Sequence, residues 1–238
     1  MVSRKEWDKL AKDFEREVCD ITRETKTGTI ARLMKTLKLS PETSVLIDLG
    51  CGLGTFIARY SALFRESIGV EHAPRIIARA KKNLGRRDGL SWITSSLPPA
   101  ARRIGRRADL TVCMNVITMP GAATREKMWA SIAAVTRKGG HALIVVPSIE
   151  SDRLVERIAY GTRRAEAMAA APDGLVDRGG ARQKHFARDE LRALLARHGF
   201  ATKRIVAVTY PWQKEGLRKP RGAGARMPWD WLVLAEKR

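Results

Sequence analysis

The stretch VLIDLGCGLGTFIARY, residues 45–60, decides how the rest of the chain is read. Its first part is a short apolar run containing an acid, Asp48. Gly50, Gly52 and Gly54 follow at alternate positions, and apolar residues then recur at helical spacing. A run of this kind suits a buried strand. Glycines between such a strand and a helix let backbone N–H groups and a ligand approach with no Cβ between them. The helix start adds partial positive charge. A plain structural turn would use the same residues, so the next element matters. SIGVE, residues 67–71, reads as a second short strand that ends in Glu71. An acid at that tip can accept hydrogen bonds from both hydroxyls of a ribose. Together the turn and the acid point to a nucleoside-containing ligand. The spacing is G-x-G-x-G, which departs from the G-x-G-x-x-G of dinucleotide sites.

Outward from this stretch, strands and helices alternate. Helices are predicted over TFIARYSALF, PRIIARAKKNL and TREKMWASIAAVTRK, the last closed by Gly139 and Gly140. Strands are predicted over LSWIT, DLTVCMNVI and HALIVVP. Apolar strands in this rhythm belong to a parallel sheet covered on both faces. In such sheets ligands bind beyond the carboxyl ends of the strands. N-terminal to the core, residues 2–22 and TIARLMKTLKL each carry one apolar helical face. C-terminal to it, residues 151–169 read as a helix and APDGLVDRGGARQ as a loop. ARDELRALLARHGF reads as a helix, and FATKRIVAVTY and WDWLVLAEK as two strands.

The chain has 238 residues, 45 Lys and Arg against 25 Asp and Glu, and a net charge of +20. The apolar share of 44% supports a packed core and excludes a disordered chain. No run of about 18 apolar residues is present, so no membrane span is expected. The charged start MVSRKEWDKLAKDFE lacks the apolar segment of a secretory signal. Cys19, Cys51 and Cys113 form no metal-ligand or disulfide pattern, so a reduced, cytoplasmic protein is the expectation. The positive charge fits either an anionic partner or solvated helix faces, because the Arg pairs are spread along the chain.

DLGCGLG, residues 48–54, resembles the first motif of the class I S-adenosylmethionine-dependent methyltransferases. GVEHAPRIIARAKKN resembles their second motif, and DLTVCMNVI and TRKGGHALIVVPS their fourth and fifth strands. FARDELRALLARHGF resembles their last helix. The resemblance spans roughly residues 45–147 and 186–238. It implies a doubly wound, mostly parallel α/β sheet of seven strands, with an antiparallel last strand beside the fifth and a helical cap. It divides the chain into an N-terminal helical cap over 1–40 and a methyltransferase domain over 41–238, with a cap insertion at about 148–188.

The resemblance implies S-adenosyl-L-methionine as the methyl donor, with no metal. Asp48 and Gly50 would meet its amino-acid end, and Gly52 and Gly54 would allow close approach. Glu71 would hold the ribose hydroxyls and His72 would lie against the adenine. Asn115 would face the methionine moiety or the acceptor. Many members carry an Asp after the third strand; here TSSLPP leaves Ser95 or Ser96 to substitute.

Other residues keep two readings each. Cys51 packs in the turn or ligates a metal. Trp7 and Phe14 are core residues or part of a lid. His185 is a surface histidine or the catalytic base. Lys214, Arg218, Lys219, Arg221 and Arg226 form a solvated loop or a basic rim for an anionic acceptor. The leading expectation is methyl transfer to a small-molecule acceptor, anionic if that rim is used. An RNA methyltransferase using the basic surface is the alternative, weakened by the lack of an NPPY-type tetrad. A non-enzymatic methyltransferase-like binding protein is the third reading.

Overall fold

The computed structural model describes residues 4–25, 27–163, 173–178 and 181–238. The apolar strands that the sequence announces form one seven-stranded sheet of order β3-β2-β1-β4-β5-β9-β8. They are β1 (Val45–Leu49), β2 (Glu66–Glu71), β3 (Leu90–Thr94), β4 (Ala108–Met114), β5 (Thr136–Pro147), β8 (Phe200–Thr209) and β9 (Trp229–Lys237). β1 to β5 pair in parallel, and β9 runs antiparallel between β5 and β8. The expected mostly parallel sheet with an antiparallel last strand is therefore present.

β1 is buried along its whole length, as a central strand covered on both faces must be. Ile47 and Leu49 face one core layer with Ala100, Trp129, Ile132 and Leu191. These come from α7 (Leu97–Ile104), α8 (Ala122–Val135) and α10 (Arg188–Arg197). Leu46 faces the other layer with Ile30, Leu33, Met34, Phe56 and Ile57, from α4 (Thr29–Thr36) and α5 (Thr55–Tyr60). α6 (Pro74–Leu84) buries Ile76, Ile77 and Ala80, with Pro74 in its first turn.

Several elements differ from the sequence reading. The single helix expected over residues 2–22 is broken into α1 (Arg4–Leu10), α2 (Phe14–Glu17) and α3 (Ile21–Glu24). A continuous helix of that length would be a rod about 30 Å long. The segment instead bends, burying Ala11 and Phe14 against Leu53, Ala73 and Ile76 and then Ile21 in the α4–α5 layer. α7 has no counterpart in the sequence reading; its two prolines stand in the first turn, where no N–H is needed.

Gly139 and Gly140 do not close α8. The helix ends at Val135, and Thr136 enters β5 at once, its hydroxyl bonded to Ile132 O at 2.7 Å. The pairing of β4 and β5 then slips between Ala108 and Leu110, and a Cβ on Gly140 would sit 2.5 Å from Ala108 O. Glycine is needed for that irregular strand, not for a helix stop.

The predicted helix over 151–169 is α9 (Ile149–Tyr160), and residues 164–169 lie outside the described ones. The predicted loop that follows contains a hairpin of β6 (Leu175–Arg178) and β7 (Ala181–Lys184). The returning chain is stitched to the carboxyl ends of β4 and β5. Lys184 N donates to Thr118 O and Phe186 N to Pro147 O, both at 2.8 Å.

Candidate active site

The turn after β1 is fixed to the tip of β2 before any side chain is considered. Gly50 N and Cys51 N both donate to Val70 O, at 2.8 and 2.9 Å. Gly50 and Gly52 have φ of 77° and 51°, a region that side chains with a Cβ avoid. A Cβ on Gly50 would run into Val116, and one on Gly52 would lie 2.9 Å from the Phe14 ring. Gly54 is the residue before α5.

Glu71 binds the two strand ends together. It is buried, and its Oε1 accepts from His72 N at 2.7 Å and Ala73 N at 2.9 Å. Its Oε2 accepts a longer 3.3 Å bond from Gly52 N. His72 Nδ1 lies 2.9 Å from Glu71 Oε1, and the Trp7 ring stands edge-on to the imidazole at 6.5 Å. Ser95 N donates to Glu71 O at 3.0 Å, while Ser96 is exposed at the start of α7. The carboxyl ends of β1, β2 and β3 thus gather Asp48, Gly50, Gly52, Gly54, Glu71, His72 and Ser95.

The electrostatics at this edge run opposite to the whole chain. Asp48 is buried, and burial first, then the like charges of Asp20 and Glu71, push its carboxyl up to about 8. Asp20 comes from the N-terminal segment and was not a candidate from the sequence. Burial first, then the charges of Asp48 and Glu71, drive the Cys51 thiol well above its ordinary value, which keeps it protonated and suits packing. Among the described residues, no group of three His, Cys, Asp or Glu side chains is placed to hold a metal.

A second set of groups meets beyond β4, β5 and β9. Asn115, just past β4, has φ 55° and donates from Nδ2 to Asp230 Oδ2 at 2.8 Å. Asp230 pairs with Pro147 at the carboxyl end of β5, although it is the second residue of its own strand, because β9 is antiparallel. Burial, and more weakly Glu215, raise its carboxyl to about 7 against the lowering bond from Asn115. Tyr210, past the end of β8, donates its hydroxyl to Glu215 at 2.6 Å. Asp230, Tyr210 and Glu215 were not sequence candidates. An acid between two tryptophans at the head of an apolar strand, PWDWLVLAEK, was the available signal for Asp230.

His185 is placed on the returning insertion, with Nδ1 3.8 Å from Asp152 Oδ1 of α9. Its backbone N–H donates to Gly174 O. Of the loop cations, Arg218, Lys219 and Arg221 are exposed, and Arg226 bonds to the carbonyls of Gly222 and Ala223. Lys214 Nζ reaches Glu15 O at 3.1 Å.

The N-terminal segment lies across this edge. Phe14 rests over Gly52, Asp8 accepts from Arg75 N at 2.9 Å, and Arg79 bonds to Ala11 O and to Glu15 at 2.9 Å. Thr22 donates to Met114 Sδ at 3.4 Å, at the end of β4.

Residues 46–140 match the methyltransferase domain family. Over that segment the chain matches a methyltransferase domain, and its fold is that of the S-adenosylmethionine-dependent methyltransferases. Its fold is shared with magnesium protoporphyrin IX methyltransferase from Synechocystis PCC 6803 with bound S-adenosylhomocysteine, at TM-score 0.67 and 13% identity, over 99% of this chain and 98% of that one. An S-adenosylmethionine-dependent methyltransferase from Anabaena variabilis ATCC 29413 gives 0.66 and 16%, over 99% and 95%. The 1,6-didemethyltoxoflavin-N1-methyltransferase of Burkholderia thailandensis gives 0.64 and 16%, over 98% and 86%. No curated protein matches the sequence.

The residues of the methyltransferase domain fit its methyl donor on two counts. The backbone at Gly50 and Gly52 runs at positive φ with no Cβ, and the side chains against it are Val116 and the Phe14 ring of the N-terminal segment. The charges that act on Asp48 are Asp20 and Glu71, both of its own sign, so a ligand bearing a sulfonium and an ammonium would relieve them. Among the described residues, no helix is long and apolar enough to cross a membrane.

Proposed function

We propose that this methyltransferase acts on a small-molecule acceptor bound beyond β4, β5 and β9. When bound, S-adenosylmethionine supplies an electrophilic methyl group on a sulfonium. In this reading Glu71 Oε2 holds the ribose hydroxyls, His72 and Ser95 border the adenine, and Asp48 with Asp20 faces the cationic amino-acid end. Ser96, exposed, serves the adenine only from the rim. Asn115 stands between donor and acceptor. The chain aligns the two reactants and excludes water, which can supply much of the rate.

The observation that carries the small-molecule reading is the sign of the charge at this edge. Two sets of acids stand along it, Asp20 and Glu71 about Asp48, and Glu215 about Asp230. A nucleic-acid backbone brought there would meet the charges of Asp20, Glu71 and Glu215 and be repelled. The cations that favour the RNA alternative include Arg188, Arg192, Lys203 and Arg204, which line a groove of about 370 Å³ along α10 and the edge strand β8. An anionic acceptor would keep its charged part at the rim, near Arg218, Lys219 and Arg221. His185, paired toward Asp152, is here a residue of the insertion rather than the base.

The test is transfer of tritiated methyl from S-adenosylmethionine to a metabolite extract and, separately, to total RNA. Label in the extract supports the reading. Stoichiometric label at one RNA position would replace it with the RNA alternative.

A further inference from the structure

We propose that Asp230 is the proton acceptor for the methyl acceptor, and that the reacting atom of that acceptor is a nitrogen or oxygen that still carries its hydrogen. The inference rests on the acceptor position proposed above. It begins from topology. β9 is antiparallel, so its first residues are delivered to the carboxyl edge of the sheet, where Asp230 lies opposite Pro147 and beside Asn115. The polypeptide therefore brings a carboxylate from its far C-terminal strand to the edge that also holds the glycine turn.

Three features of Asp230 suit proton transfer better than packing. First, it is 4% exposed, and Asn115 Nδ2 holds Oδ2 at 2.8 Å. A buried carboxylate with no basic partner is costly for a purely structural role. Second, its holder is itself in an unfavourable state. Asn115 is the only non-glycine residue with positive φ among the described residues, and its Oδ1 is buried without a hydrogen-bond partner. That atom can accept a hydrogen bond from the same N–H or O–H group. Third, the neighbouring Tyr210 gives its hydroxyl proton to Glu215 instead of Asp230.

The groups around Asp230 set its proton affinity. Glu215 and Tyr210 face it from the segment after β8, and Asn115 faces it from the end of β4. From α9, the Ser151 hydroxyl accepts from Trp229 N, the residue before it. Cys19 of the N-terminal segment acts on Tyr210. Burial, against the lowering bond from Asn115 and with the charge of Glu215, puts Asp230 at about 7, where a base has the best compromise between being ionised and being basic.

In the step, the X–H bond of the acceptor breaks and an O–H bond forms on Asp230. The electron pair left on X becomes the new X–C bond to the methyl group, whose bond to the donor sulfur breaks with its electron pair left on that sulfur. The proton leaves Asp230 to solvent after product release. A carboxylate or thiolate at the reacting position would need no such base and would be repelled by Asp230 and Glu215. The acceptor is thus a phenol, enol, alcohol, amine or ring N–H at its reacting end.

The test uses the full-length protein and Asp230→Asn, which can still accept the Asn115 hydrogen bond. Calorimetry with S-adenosylhomocysteine is expected to give the same affinity within about threefold, since Asp230 is on the acceptor side. Tritiated transfer to a metabolite extract is expected to fall about 100-fold or more at pH 8, the usual contribution of a positioned base. The rising limb of the pH profile near 7 should disappear. Infrared difference spectra between pH 5 and 9 should lose one titrating carboxyl. An Asp230→Asn protein with the wild-type rate and pH profile would overturn the proposal. If the variant does not fold, the infrared titration is made on Asp48→Asn protein, where one carboxyl should still titrate near 7; none between 6 and 8 would overturn it. Failure of the wild-type protein to bind S-adenosylhomocysteine would instead overturn the reading of the site on which this inference rests.

Discussion

Asp48 carries its proton into the neutral range because burial and its acidic neighbours disfavour the charged form. The sign of the consequence follows from linkage. A carboxyl that is raised on folding binds a proton that the unfolded chain has already released between about pH 4 and its folded value of about 8. Stability is therefore expected to fall as pH rises through this window, with Asp230 adding up to about 7. Thermal unfolding from pH 5 to 8.5 should show it, and Asp48→Asn should flatten the slope and stabilise the protein at pH 8 by about 1–3 kcal/mol. A steeper slope in the variant would reject this account. Glu71→Gln is expected to weaken S-adenosylhomocysteine binding by about 1–3 kcal/mol, the scale of hydrogen bonds to a charged acceptor. Gly52→Val should abolish binding, because the added atoms must displace Phe14 from a backbone held at φ 51°.

At the scale of elements, the N-terminal segment and the glycine turn share one volume. Phe14 lies where any ligand approaching Gly52 must pass, and Trp7 stands beside His72. Ligand binding is therefore expected to move this segment and change the emission of Trp7. The change should vanish in Trp7→Phe while the five other tryptophans remain. Phe14→Ala should accelerate ligand dissociation by about tenfold, the factor expected for losing some 1.4 kcal/mol of contact. Unchanged dissociation with an unchanged Trp7 signal would mean that the segment is scaffold and not cover.

The whole molecule separates its charges. Arg188, Arg192, Lys203 and Arg204 line the groove along α10 and the β8 edge, while acids stand at the carboxyl edge in two sets, Asp20, Asp48 and Glu71, and Glu215 and Asp230. Any RNA retained by the protein should thus be held through phosphates and lost steeply with salt. Filter binding of total RNA between 50 and 300 mM salt checks this. Retention that persists at high salt would mean contacts other than phosphates and would favour the RNA alternative.

The glycine turn, Glu71 and the alternation of strands were legible because each depends on residues close in sequence. A turn that needs φ above zero calls for glycine, and a covered parallel strand calls for an apolar run. The breaks in the N-terminal helix were not legible, since its apolar spacing is the same whether the segment is straight or bent to follow the sheet edge. α7 was not legible because a proline pair suits a loop or a first helical turn equally, and only the fold decides which. Asp230 was beyond reach for a stronger reason. In the sequence it is an acid at the start of a strand, and most such acids face water. Only the antiparallel insertion of β9 between β5 and β8 carries that strand start to the carboxyl edge, where burial and Glu215 change its chemistry. The sequence by itself determined the methyltransferase fold and the ligand turn, because local backbone and side-chain preferences encode them. The acid-lined edge was decided by tertiary structure alone, because it joins Asp20, Asp48, Asn115 and Asp230 from distant parts of the chain.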